Sequence, residues 1–396
     1  MKKTLIALAV LTVSSASFAQ STVTISGRMD ATLRHTAKVA PGAANLAVTE
    51  DGGANRINFS VAEDLGGGMK AVADLGMRFQ IADGIPQGSG ARPLFQGESR
   101  VGVSGGFGLL KFGRGLTALQ APNGGYADPW GVRTSAGSAY AVGYATDYAA
   151  GGEGRIDGGI FYTSPNFNGF TFSASMSPKK NVSTAATAAA AVPAQANLNT
   201  GVVTAAVPAV VARAGGSSKT MQSLNLLYAA GPVVLGVGAE NNRGNDKISQ
   251  IYGTYDLGVA KLHASSATIK GGTQADRERG LGALTANLAT SANVVGATTG
   301  PVAVNGKINN WTVGVTVPMG AVTILAGYSG WNGNGAVGQK DDTKTGLGLK
   351  YDLSKRTFLQ TSYAVQTRKN NNATPADPSK DNTNQTSFDM GVVHSF

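Results

Sequence analysis

From Ser21 onward, apolar and polar residues alternate in runs separated by clusters of glycine, proline, asparagine and aspartate. A period of two places successive side chains on opposite faces of an extended chain, so each run predicts a β-strand. In Ser21 to Arg34, the residues Val23, Ile25, Met29, Ala31 and Leu33 share one face. Thr22, Thr24, Ser26, Arg28, Asp30, Thr32 and Arg34 share the other. The last run repeats the pattern, with Phe388, Met390, Val392, His394 and Phe396 on one face and Ser387, Asp389, Gly391, Val393 and Ser395 opposite.

The connections come in two sizes. Seven are short and turn-like, at residues 63–68, 105–108, 164–169, 230–232, 256–258, 318–320 and 352–355. Eight are longer or more polar, near residues 35–53, 81–96, 117–152, 178–218, 242–245, 271–304, 332–341 and 370–383. The two kinds alternate strictly, so fifteen connections join sixteen strands with both chain ends on one side. An even strand count, with short turns at one end and long loops at the other, predicts an all-β fold: a 16-stranded antiparallel transmembrane β-barrel. Hydrocarbon tolerates no open sheet edge, so the last strand is expected to pair with the first and turn its apolar face to lipid. Phe396 then falls near the interface. A soluble sandwich also alternates, but its polar face is the outer one and it seldom needs sixteen strands in one sheet.

Composition narrows the chemistry. The chain has 396 residues, 55 glycines, no cysteine and three histidines, His35, His263 and His394. Disulfides and thiolate metal sites are excluded, and no cofactor or metal centre is expected. Residues 1–19, MKKTLIALAVLTVSSASFA, carry Lys2 and Lys3, an apolar run from Leu5 to Val13 and small residues at Ser17 and Ala19. This is the pattern of a secretory signal peptide, with an apolar run too short to span a bilayer, and it leaves residues 20–396 as one barrel domain. Removing the two lysines takes the formal net charge from +10 to +8. The positive residues form no stripe and match no nucleic-acid module, so anionic solutes are the expected partners rather than nucleic acid.

Two motifs suggest catalysis and fail on context. Gly102-Val103-Ser104-Gly105-Gly106 fits the G-x-S-x-G of a hydrolase, yet Phe107 to Arg114 reads as another strand where that motif needs a helix. Gly66-Gly67-Gly68 lacks the helix and the Gly-Lys-Ser/Thr of a phosphate loop. No catalytic residue is assigned. Strand parity instead selects arginines that lie out of phase with apolar neighbours: Arg28 beside Met29, Arg56 before Ile57 and Phe59, and Arg100 before Val101 and Val103. All three are expected to face a water-filled lumen, because a charge on the lipid face at mid-membrane costs ~2–4 kcal/mol. Arg34, Lys70, Arg78 and Lys111 share that parity.

Several segments together resemble one family over essentially the whole mature chain. They are Arg56-Ile57-Asn58-Phe59 with Glu63-Asp64-Leu65-Gly66-Gly67-Gly68-Met69-Lys70-Ala71, Arg100 to Gly108 with Phe112-Gly113-Arg114, Tyr162 to Phe170, Tyr351 to Thr357, and the terminal Phe396. The sequence resembles the general diffusion porins of Gram-negative outer membranes, particularly the trimeric beta-proteobacterial type. The resemblance implies a homotrimer in outer-membrane lipid and lipopolysaccharide, with a third loop, here residues 117–152, folded inward to narrow each pore. It implies a constriction with Arg28, Arg56, Arg100 and Arg155 on the wall facing Asp128 on the loop. It also implies that Phe396 is read by the barrel-assembly machinery. Acidic residues are sparse in this loop, with Asp147 the other one before Glu153. The expected function is passive diffusion of small hydrophilic solutes and ions with a preference for anions. The alternatives are an adhesin or structural barrel with a plugged lumen, and a barrel hydrolase. The uncharged, alanine-rich segment 181–212 carries no functional reading.

Overall fold

The computed structural model describes residues 21–37, 45–49, 55–86, 94–123, 125–131, 133–137, 154–178, 195–196, 203–204, 220–241, 247–270, 307–333, 341–369 and 383–396. The expected signal peptide, residues 1–19, Asp147 and most of the alanine-rich segment 181–212 lie outside these residues.

Sixteen strands carry the fold. The first half comprises β1 (Thr22–Thr36), β2 (Asn55–Gly66), β3 (Met69–Phe79), β4 (Glu98–Gly105), β5 (Gly108–Leu116), β6 (Arg155–Thr163), β7 (Phe170–Ser177) and β8 (Met221–Ala230). The second half comprises β9 (Val233–Asn241), β10 (Lys247–Asp256), β11 (Lys261–Lys270), β12 (Lys307–Met319), β13 (Val322–Gly333), β14 (Asp341–Asp352), β15 (Thr357–Lys369) and β16 (Thr383–Ser395). Every consecutive pair is antiparallel, and β16 closes on β1 through a register running from Arg28 opposite Ser395 to Thr36 opposite Ser387. The sheet therefore has no free edge, as the lipid argument requires. A short strand, Leu46–Thr49, lies inside the first expected loop and pairs with residues 32–35 of β1. It covers the upper edge of β1 where the pairing with β2 has stopped at Arg28 opposite Arg56.

All seven short turns fall between the strand pairs expected of them. In the β12–β13 turn Gly320 has φ +65°, a left-handed conformation that side chains with a Cβ rarely adopt. The outward face is apolar: Val23, Ile25, Val101, Phe112, Leu226, Ile251, Val313, Leu347 and Met390 are all exposed on the outer wall. Charged and hydroxyl side chains occupy the inner face, where Arg28, Asp30, Thr32, Ser223, Thr312 and Asp389 are buried. The motif around Ser104 lies in β4, and the chain after it turns at Gly106–Phe107 directly into β5, so the geometry of a nucleophile elbow does not form.

Candidate functional site

The connection from β5 to β6 contains α1 (Gln120–Asn123), and its described residues run along the inner wall. The Ala118 N–H donates to Ser175 Oγ at 2.9 Å and the Leu119 N–H to Ser223 Oγ at 3.0 Å, fixing the start against β7 and β8. Further on, the Tyr126 ring stacks on Tyr252 of β10 at 6.5 Å, and the Tyr126 carbonyl lies 3.2 Å from His263 Nδ1 of β11. Leu119 and Ala127 pack with Ile248, Tyr252 and Ile269 in a buried apolar cluster. The inner wall is thus oily where the loop covers it, an exception to the polar-inside rule with a local cause: those positions never meet lumen water.

Trp130 then fills a recess over β13 and β14. A Cβ at Gly327 would stand 2.7 Å from Trp130 Cζ3, and one at Gly348 would stand 2.6 Å from its Nε1. Both glycines are bare because the indole takes the space. The segment ends on Ser135, whose N–H donates to the Asp389 carboxylate of β16, and on Gly137, whose carbonyl accepts from Lys344 Nζ at 3.1 Å. Asp389 is fully buried and also accepts from Arg34 Nε at 2.7 Å and Ser362 Oγ at 3.3 Å.

Between this loop and the facing strands lies a cavity of about 760 Å³. Arg56, Arg78, Arg133 and Arg155 line it together with Asp74, Glu98 and Asp128. Of the four wall arginines expected from sequence, Arg56 and Arg155 are in this lining. Arg155 is held by its Nε, which donates to the Gly97 carbonyl at 2.5 Å. Arg28 is inward but only 4% exposed, with its Nε 3.4 Å from Asp30 and its guanidinium 5.8 Å above the Phe358 ring. Arg100 is inward as well, paired with Glu98, 3.6 Å from Asp74, and 5.2 Å above the Phe161 ring. Asp128 sits on the loop as expected, but the residue is only 2% exposed and its carboxylate accepts the Trp130 N–H at 2.8 Å, so it shapes the turn that presents the indole.

The sequence reading passed over the wall carboxylates Asp74, Glu98 and Asp157. Asp74 pairs with Lys111 and Asp157 with Arg114. The parity rule that selected the arginines applies to the first two equally: Asp74 lies four residues from both Lys70 and Arg78, and Glu98 two residues from Arg100. Arg133 was also missed, since nothing in the local pattern distinguishes a loop residue that returns to the lumen. Its arrival makes the loop a contributor of positive charge to the cavity.

Comparison with known proteins agrees with this architecture. Outer membrane porin protein 32 of Delftia acidovorans is 34% identical over 194 residues, 47% of this chain and 52% of the relative. A major outer membrane protein P.IA of Neisseria meningitidis is 33% identical over 160 residues, 40% of this chain and 36% of that protein. The chain thus spans about half the length, or less, of the curated relatives it matches. Among solved structures, an anion-selective porin from Comamonas acidovorans superposes with a TM-score of 0.68 at 21% identity, over 95% of this chain and 100% of that one. A loop L8 deletion mutant of OmpT, an outer membrane protein of Vibrio cholerae, gives 0.59 at 12% identity over 95% and 99%. These two share the fold. Residues 4–371 match the Gram-negative porin family, and with the closed sixteen-stranded barrel this makes the chain a member of that family, a protein of the outer membrane.

Proposed function

We propose that the protein is a passive, anion-preferring diffusion channel for small hydrophilic solutes and ions, with its constriction at the cavity between the β5–β6 loop and the wall of β2, β3, β4 and β6. The observation that carries this reading is the lining itself, four arginines against three carboxylates, of which Asp128 is withdrawn into the loop's own turn. A charge at ~6 Å from a permeating ion contributes ~3 kcal/mol at an effective dielectric near 20 and under ~1 kcal/mol in bulk water. Even heavily screened, a net positive constriction favours anions severalfold. Arg28 and Arg100 lie outside this lining, their charges offset by Asp30 and by Glu98 and Asp74. The similar fold of an anion-selective porin from Comamonas acidovorans points the same way.

The same reading includes a homotrimer embedded in outer-membrane lipid and lipopolysaccharide, assembled by the barrel-insertion machinery through Phe396, with no cofactor and no catalytic step. The test is a planar-bilayer recording of purified protein across a tenfold KCl gradient. Stepwise conductance with a zero-current potential of anion-selective sign is expected. Absence of steps would favour a plugged barrel, and a cation-selective potential would overturn the charge argument.

A further inference from the structure

Gln96 and Gly97, the two residues that lead into β4, collect arginines from three different strands. Both are buried, and they carry the β3–β4 ladder past its last pair, Gly76 opposite Glu98, through the Gly97 N–H, which donates to the Gly76 carbonyl at 3.0 Å. From β6, Arg155 Nε donates to the Gly97 carbonyl at 2.5 Å. From β5, Arg114 Nε donates to the Gln96 carbonyl at 2.8 Å. On β3, the main-chain carbonyl of Arg78 accepts from Gln96 Nε2 at 3.3 Å. One dipeptide thus joins Arg78, Arg114 and Arg155.

Each contact limits where a positive charge can go. An arginine bonded through Nε has the end of its flexible stem fixed, so the planar fork beyond it points one way. Gly97 acts by what it lacks: a Cβ there would stand 3.3 Å from Arg78 Cγ and 2.8 Å from the Gly76 carbonyl oxygen, so the bare backbone is what lets the Arg78 stem pass. Arg78, Arg155 and Gly97 all line the cavity, whereas Gln96 and Arg114 lie outside the lining. Gln96 is 2% exposed, so a permeating ion does not meet its amide. Arg114 is paired with Asp157 and holds the dipeptide from the β5 side.

We propose that Gln96 and Gly97 are positioning residues for the ion pathway: they aim Arg78 and Arg155 into the cavity and thereby set how strongly it prefers anions. The inference rests on the reading of that cavity as the constriction, and it assigns part of the selectivity to two residues that carry no charge. The effect works through distance. Moving a charge from ~6 to ~8 Å from a permeating ion changes its weight about 1.3-fold in bulk water and about threefold at an effective dielectric near 20. Releasing one arginine is therefore expected to lower the anion-to-cation permeability ratio about twofold, between these limits.

The test uses the purified full barrel in planar bilayers across a KCl gradient at low salt, with heat-modifiable mobility as the check on folding. Gln96→Met keeps the side-chain volume and removes the donor, and it should fold normally with the ratio lowered about twofold. In an Arg78→Gln background the same substitution should change the ratio no further, because the group it positions is gone; a merely structural role would give additive effects. Gly97→Ala should lower the ratio too, and if the clash with the Gly76 carbonyl prevents folding, Gln96→Met decides the matter. A second readout does not depend on conductance: the rate at which phenylglyoxal modifies Arg78 and Arg155, followed by peptide mass spectrometry, should rise severalfold in Gln96→Met as the side chains are released. A wild-type permeability ratio in Gln96→Met, an equal effect with and without Arg78, or unchanged modification rates would each overturn the proposal. Failure of the channel reading shows separately, as a wild type without conductance steps, and the modification rates then still decide whether the two arginines are held.

Discussion

The ring of Phe396 lies over Gly27, so closely that a β-carbon on the glycine would stand 2.2 Å from Phe396 Cζ. The two residues also exchange backbone hydrogen bonds, Gly27 N–H to Phe396 O at 2.8 Å and Phe396 N–H to Gly27 O at 3.2 Å, which makes them a rung of the seam that closes the barrel. The bare glycine is the seat of the ring.

Gly27→Val should therefore impair closure. Overpacking costs ~1–3 kcal/mol, and the new Cβ would also sit 2.7 Å from the Arg56 carbonyl oxygen, which belongs to the backbone and yields little. The measurement is the fraction of heat-modifiable, folded barrel in outer-membrane preparations. Combining Gly27→Ala with Phe396→Ala should recover only part of the loss, because the clash with Arg56 persists. Removal of Phe396 alone should lower yield more than it alters the conductance of the molecules that assemble. Normal folded yield of Gly27→Val would refute this account of the seam.

Reversing the cavity charge should reverse selectivity. Arg56→Glu/Arg133→Glu/Arg155→Glu changes three groups of the lining, and the zero-current potential in a KCl gradient is expected to change sign at low salt and to shrink at high salt as the Debye length falls from ~30 Å at 0.01 M to ~3 Å at 1 M. Arg28→Gln is the contrasting variant. Arg28 is 4% exposed, beside Asp30 and Phe358, so the substitution should lower stability while moving the potential little. Equal shifts in both variants would show that position in the lining is not what matters.

Asp389→Asn should loosen the end of the pore loop. The carboxylate collects Arg34, Ser362 and the Ser135 N–H, and an amide offers one oxygen where two accept now. A loss of ~1–3 kcal/mol is expected, since Arg34 is part-exposed and water takes over some of its hydration. Single-channel traces should show brief closures or added current noise absent from wild type. Traces as quiet as wild type would mean that the remaining contacts hold residues 133–137 without it.

Trp130→Ala should widen the passage. Trp130 is 9% exposed and its indole fills the space above Gly327 and Gly348, so truncation removes volume next to the cavity and one of the loop's anchors on the wall. Single-channel conductance and liposome swelling with larger sugars should both rise. Gly348→Val offers the reverse approach, since its side chain would displace the indole instead of deleting it. A conductance unchanged in both variants would place the narrowest point elsewhere.

Strand number, alternation of short turns with long loops, the closure of β16 on β1 and the inward phase of Arg28, Arg56 and Arg100 were all legible in the sequence, because strand parity is a local property that neighbouring residues reveal. Asp74 and Glu98 were equally legible by the same rule. The path of the β5–β6 loop was different. Its contacts with Ser175, Ser223, His263, Lys344 and Asp389 join residues far apart in the chain, and no period announces them. That path decides which arginines line the cavity: it brings in Arg133 and buries Asp128.

The loop also sets aside the face rule locally on β10 and β11, where it covers the inner wall. Ile248 and Ile269 point inward beneath Leu119 and Ala127, while Ser249, Ser266 and Thr268 point out. By itself the sequence determined that strands alternate and must close, since lipid leaves no backbone group unpaired. Only the tertiary structure decided what each face meets, because the solvent at a barrel wall is whatever the rest of the chain, or the membrane, places against it.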